Sequence, residues 1–176
     1  VNAAPQAVKV WDVPVRVFHW SLVACVLLDF FVLDDGDAAH RWTGYAAAGL
    51  VAWRVLWGFI GSEHSRFADF LPTPARLREH WHAIRRGLPA ASVGHNPLGA
   101  LMMLALMGCV ALLGISGWLM TTDAFWGEDW LEDVHEAIAQ TLILLAGVHA
   151  LSAIVMGRLE RTRLVKAMVT GVKERW

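Results

Sequence analysis

Apolar residues gather in four long stretches along this chain, at about 14–33, 40–60, 97–121 and 134–157, with polar connectors between them. Each stretch supplies roughly the 20 mostly apolar residues that a helix needs to cross the hydrocarbon core of a bilayer. The first opens at Pro14, tolerated in a first helical turn, and reads VFHWSLVACVLLDFFVL with His19 and Asp29 as its ionisable interruptions. The second runs from His40 to Ile60, the third from Pro97 through LMMLALMGCVALLGISGWLM, and the fourth from Val134 to Gly157. Residues 61–96 break the pattern. There Pro72, Pro74, Pro89 and several arginines surround an amphipathic LREHWHAIRRG, which predicts a short helix lying on the membrane surface. The expected fold is all-α, a four-helix transmembrane bundle occupying 1–176 as one domain, without solenoid repeats or low-complexity tracts.

Composition agrees with a lipid-solvated chain. Hydrophobic residues make up 56% and charged residues 18%, against about 25% charge in soluble domains, and mean hydropathy is +0.44. The net charge of -1 says little as a total, so its placement matters more. Lys9 and Arg16 precede the first span, Arg66, Arg76, Arg78, Arg85 and Arg86 lie in the 61–96 connector, and Arg158, Arg161, Arg163, Lys166, Lys173 and Arg175 follow the last span. Connectors 34–39 and 122–133 hold no Lys or Arg but carry Asp34, Asp35, Asp37, Asp123, Glu128, Asp129, Glu132 and Asp133. The positive-inside rule therefore puts both termini and the long connector in the cytoplasm, with the acidic connectors outside. The expected location is the bacterial inner membrane, with multiple passes, and the first span is expected to direct insertion.

That topology assigns depths to four histidines. His19 enters from the inside and His149 approaches it, whereas His40 leaves the outer side and His135 enters from it. His135 and His149 lie fourteen residues apart, which on one helix climbs roughly 21 Å and returns within about 40° of the starting azimuth. The pairs by depth are His40 with His135 and His19 with His149. Ionisable groups in membrane spans are rare and usually functional, and two such pairs suit two haems, each held between imidazoles. Imidazole also suits zinc, copper and nickel, so a metal-handling protein without haem is the competing class. Apart from Asp29 and Glu136 near the outer boundary, no carboxylate joins the histidines, which disfavours a hard-cation site. Gly44, Gly49, Gly58, Gly108, Gly114 and Gly117 leave room in spans two and three, either for a flat ring or for ordinary helix packing.

Other residues add less. Arg54, inside the second span, needs an anion such as a propionate of the inner haem, or else snorkels to the interface; Arg41 beside His40 has the same two readings at the outer haem. His64, His80 and His82 fall in the charged connector and read as solvated, while His95 in GHNPLGA stands where it could face a propionate, a quinone head group or water. Cys25 and Cys109 sit inside apolar runs with no CxxCH pattern, so a haem here would be b-type. The tryptophans mostly fall near span ends, as an aromatic belt does.

VWDVPVRVFHW, AHRWTGYAAAGLVAWRVLWGFIGSEHSRFADFLPTP and GHNPLGALMM resemble the bacterial cytochrome b561 family, which includes b-type subunits of nickel-iron hydrogenases, over about Lys9 to Thr170. The resemblance implies a four-helix bundle with two b haems on His19, His40, His135 and His149, passing electrons between a membrane quinone pool and a partner. Haem held by two imidazoles has no open axial position, so electron relay without a catalytic residue is the expected work. The acidic outer connectors suit a basic periplasmic c-type cytochrome or another redox protein as partner; nucleic acid is not expected. Two alternatives stand beside this relay: a membrane-anchoring b subunit of a hydrogenase or dehydrogenase, and a stand-alone superoxide:quinone oxidoreductase. The latter lacks an outer basic cluster apart from Arg41.

Overall fold

Asp12 starts the first long helix. Its Oδ1 accepts the Val15 N–H at 2.9 Å, the geometry of a helix N-cap, and α1 follows over Val13–Phe31. The computed structural model describes residues 7–62, 65–71, 73–86, 97–159 and 162–174. In chain order these form β1 (Ala7–Lys9), α1, α2 (Ala38–Ile60), α3 (Phe67–Phe70), α4 (Pro74–Arg85), α5 (Pro97–Leu119), α6 (Asp129–Leu159), α7 (Leu164–Thr170) and β2 (Val172–Glu174). His64 and His95 lie outside the described residues.

The four apolar stretches are helical, within two residues of expectation at most ends. α6 starts five residues early because Asp129 and Glu132 occupy its first turn, where carboxylates meet the positive end of the helix dipole. α1, α5 and α6 are long and apolar enough to cross a membrane. α2 has the length, at 23 residues, but falls short in apolarity, since Arg54 and the weakly apolar Thr43, Gly44 and Tyr45 dilute it. The chain is a multi-pass membrane protein, and its surface is built accordingly. Phe59, Ile60, Leu144 and Leu151 are all more than 60% exposed, an apolar exterior that water would not tolerate on this scale.

The connector expected as one surface helix contains two, α3 and α4, with Trp81 and His82 of α4 exposed. A larger departure from the all-α expectation is a two-stranded antiparallel sheet. β1 pairs with β2 in the register Ala7↔Glu174, Val8↔Lys173 and Lys9↔Val172. Gly171 makes the junction: it ends α7 in the left-handed conformation at φ 84°, and its carbonyl accepts the N–H groups of Val10 and Trp11 at 2.9 and 3.2 Å. A side chain there would be strained by its backbone and would meet the Trp11 carbonyl at 2.7 Å. Three-residue strands have no period to read, so hydropathy could not announce them.

The residues group into two compact units. One comprises Val1–Arg16, Trp57–Met103 and Gly147–Trp176, the other Val17–Leu56 and Leu104–Ala146. In the first, Asp12 is the centre of a polar knot. Its Oδ2 accepts from Ser62 Oγ at 2.6 Å, Ser65 Oγ at 2.8 Å and Trp57 Nε1 at 3.1 Å. Burial alone would raise the Asp12 pKa, but the hydrogen bonds from Ser62, Val15, Ser65 and Trp57 together hold it below its ordinary 3.8. Replacing Asp12 by alanine removes the cap and leaves three side-chain donors without their acceptor, an expected cost of about 1–3 kcal/mol in thermal unfolding. A depressed carboxylate stabilises fully above its unfolded pKa, and that contribution disappears as pH falls through the lower folded value. The parent should therefore lose stability on acidification below about pH 4, with a component missing from the Asp12→Ala curve; parallel curves would refute the assignment.

Candidate functional site

The chain reverses after α1 through residues 32–37, with Gly36 at φ 77°, so the last turns of α1 and the first turns of α2 lie together. Asp29 of α1 thereby faces His40 of α2, with Oδ1 3.9 Å from Nδ1, too long for a hydrogen bond. Gly44, one turn further along α2, faces the same carboxylate, and a methyl there would make ordinary contact, 3.7 Å from Asp29 Oδ2.

A second reversal, with Gly127 at φ 78°, turns α5 into α6. It brings His135 of α6 against Ser116 and Gly117 of α5. Ser116 Oγ lies 2.8 Å from His135 Nδ1 and is itself 2.8 Å from the Leu112 carbonyl and 3.2 Å from that of Leu113. A methyl at Gly117 would touch the ring edge, 3.4 Å from Cε1. The Nδ1 side of His135 is thus packed against α5.

These two reversals meet at the imidazoles. The His40 and His135 rings have centroids 6.3 Å apart and planes inclined at 63°. A metal between two imidazoles, at about 2.0–2.1 Å per bond, puts the ring centres roughly 6.3 Å apart once each ring's own radius is included. His40 Nδ1 is buried without a hydrogen bond, and with Nδ1 of each ring turned towards its own helix neighbour, the Nε2 sides remain for a ligand. The residues present fit a haem held by two imidazoles. Among the described residues no three of His, Cys, Asp and Glu converge as a metal site would require.

The other expected site residues are placed as follows. His19, half-buried on α1, belongs to the same unit as His40 and His135 and stands edge-on to Trp20 at 5.1 Å. His149, also half-buried, is on α6 with His135, so one continuous helix carries both, but it belongs to the other unit. Arg54 is 1% exposed, which removes the snorkelling reading, because a guanidinium reaching for head groups would be accessible. Arg41 is exposed. The glycines divide. Gly44 and Gly117 stand at the imidazole site, whereas Gly114 lets α5 approach α2, where a methyl would come 2.7 Å from the Ala48 side chain. Ser116 was invisible to spacing. Its one signal is a hydroxyl inside an otherwise apolar run, and such groups usually bond only to their own helix.

The prokaryotic cytochrome b561 family matches residues 10–171. Similar proteins include one from Azotobacter vinelandii, 26% identical over 94% of this chain and 88% of its own length, and one from Bradyrhizobium diazoefficiens, 24% identical over 95% and 86%. A third, from Azotobacter chroococcum, is 27% identical over 72% of this chain and 64% of its own length. All three are described as probable Ni/Fe-hydrogenase B-type cytochrome subunits. No solved structure matches the chain.

Proposed function

The chain belongs to the prokaryotic cytochrome b561 family and is a membrane b-type cytochrome, and we propose that it holds two haems and relays electrons between the membrane quinone pool and a redox partner at the outer face of the inner membrane. Haem b, when bound, would supply a one-electron couple, and held by two imidazoles it would exchange electrons without a site for dioxygen. The observation that carries this reading is the 6.3 Å approach of His40 and His135. These two would hold the outer haem. His19 and His149 would hold the inner one, a pairing supported by span order and by the fourteen-residue step along α6.

That order needs four crossings. Asp12, at the start of α1, bonds to Trp57, Ser62 and Ser65 at the end of α2, and Asp29, near the end of α1, faces His40 near the start of α2. These contacts support an α2 that retraces α1, and with it a second crossing despite Arg54. The pairing of β1 with β2 adds a parity condition: strands before the first span and after the last can meet only after an even number of crossings. A bundle of four with both termini cytoplasmic satisfies this condition and the positive-inside rule.

Arg54, buried and unable to deprotonate, would hold a propionate of the inner haem, and Arg41 would meet one at the outer haem. The outer acids would steer the partner. Neutralising Asp123, Glu128, Asp129, Glu132 and Asp133 together should slow electron exchange with a cationic c-type cytochrome and flatten its dependence on ionic strength, because screened charges act over only about 8–10 Å at ordinary salt. Unchanged rates across a salt series would remove the c-type cytochrome from the scheme. The names of the relatives favour a second reading of the partner, a hydrogenase for which this chain is the b-type subunit. Purification in mild detergent tests both: reduced-minus-oxidised spectra should show two b haems per chain, and co-purification of a hydrogenase would select the second partner.

A further inference from the structure

We infer that Ser116 is the positioning residue of the outer haem site, fixing the proton of His135 on Nδ1 so that Nε2 is presented as a ligand. The inference rests on the ligand reading of His135 and adds a residue to it. A serine hydroxyl has one proton and two lone pairs. Ser116 Oγ stands 2.8 Å from the Leu112 carbonyl and 3.2 Å from that of Leu113, and carbonyls only accept, so in the proposed arrangement back-bonding within α5 takes its single proton. What remains to face His135 Nδ1, at 2.8 Å, is a lone pair, and a lone pair requires that Nδ1 carry hydrogen. A neutral imidazole protonated on Nδ1 has its free pair on Nε2, and that pair binds a metal.

The arrangement is built to hold. Ser116 is 5% exposed, so water competes little for its hydroxyl, and Gly117 beside it brings the ring edge against α5. His40 has no equivalent, because Asp29 Oδ1 is 3.9 Å from its Nδ1, beyond hydrogen-bond reach. The two ligands of one haem are therefore unequal: His135 is oriented by a hydrogen bond, whereas His40 has only the Asp29 carboxyl nearby. Accepting from Nδ1–H also makes the imidazole a stronger donor to iron, which favours the ferric state.

The test compares Ser116→Ala and Ser116→Thr with the parent, purified with haem. Transfer of haem to an excess of apomyoglobin, redox titration and low-temperature electron paramagnetic resonance are the readouts. In the alanine variant one haem of the two should leave about tenfold faster, as losses of such supporting bonds do. The midpoint potential of that haem should rise and its ferric signal shift, while the other haem keeps its own. Threonine carries the same hydroxyl and should restore parental retention and potential. An alanine variant identical to the parent overturns the assignment, as does a threonine variant that behaves like alanine. Equal loss of both haems in the alanine variant overturns it too, since that marks a role in folding. A parent protein without haem overturns the ligand reading and the Ser116 assignment together, whereas a parent with two haems and an unmoved variant overturns Ser116 alone.

Discussion

Replacing His135 by alanine should remove one haem of the two and leave the other with its spectrum and potential unchanged. With His135 gone, the ring of His40 no longer has a counterpart 6.3 Å away, and a b haem has no thioether bond to retain it when one axial ligand is lost. His149 lies fourteen residues further along α6 and keeps its place in the helix, so the inner site should stay intact. The helix itself should survive, because alanine is the best helix former. Haem content per chain, measured as the pyridine complex, should fall from two to about one. His19→Ala should delete the other haem instead. A His135→Ala protein retaining both haems with unchanged axial signals would sink the pairing, and one in which His19→Ala and His135→Ala remove the same haem would reverse the depth order.

Arg54→Leu should have the second largest effect, on stability and potential together. The side chain is 1% exposed within α2, and a guanidinium stays charged there. If its partner is a haem propionate, leucine leaves that carboxylate buried and unpaired, a loss on the order of 3–5 kcal/mol. The sign of the redox effect follows from charge. Removing a cation beside the haem favours the more positive ferric state, so the inner haem potential should fall while the outer stays near its parental value. Unfolding in detergent and a redox titration read the two effects separately. A destabilised variant with both potentials unmoved would mean that protein carbonyls or other groups of the chain hold Arg54, and Arg54 would leave the haem site.

Much of this architecture is legible in the residues because lipid demands long apolar runs, and long runs are the strongest signal that a sequence carries. The histidines stood out for the same reason: a polar group in such a run has to be explained. Arg54 stood out too, but whether it snorkels or is enclosed depends on the helices around it, and its own neighbours in sequence do not say which. α2 shows the opposite difficulty. Its Arg54 and its small polar residues weaken the apolar signal, and only contacts at both of its ends, with Asp12 and with Asp29, support an α2 that retraces α1. Ser116 and the β1–β2 pair were not legible. The first acts on a residue nineteen positions away on another helix, and the second joins three-residue segments from opposite ends of the described chain.

That last pairing has a consequence for how the protein is made. Val8 cannot meet Lys173 until Lys173 has left the ribosome, and by then every intervening helix has been synthesised. At about 5–20 residues per second, the β1 strand waits with its edge unpaired for on the order of ten to thirty seconds. Nascent chains that stall before residue 172 never close it. The small sheet thus forms only on chains that extend through residue 174.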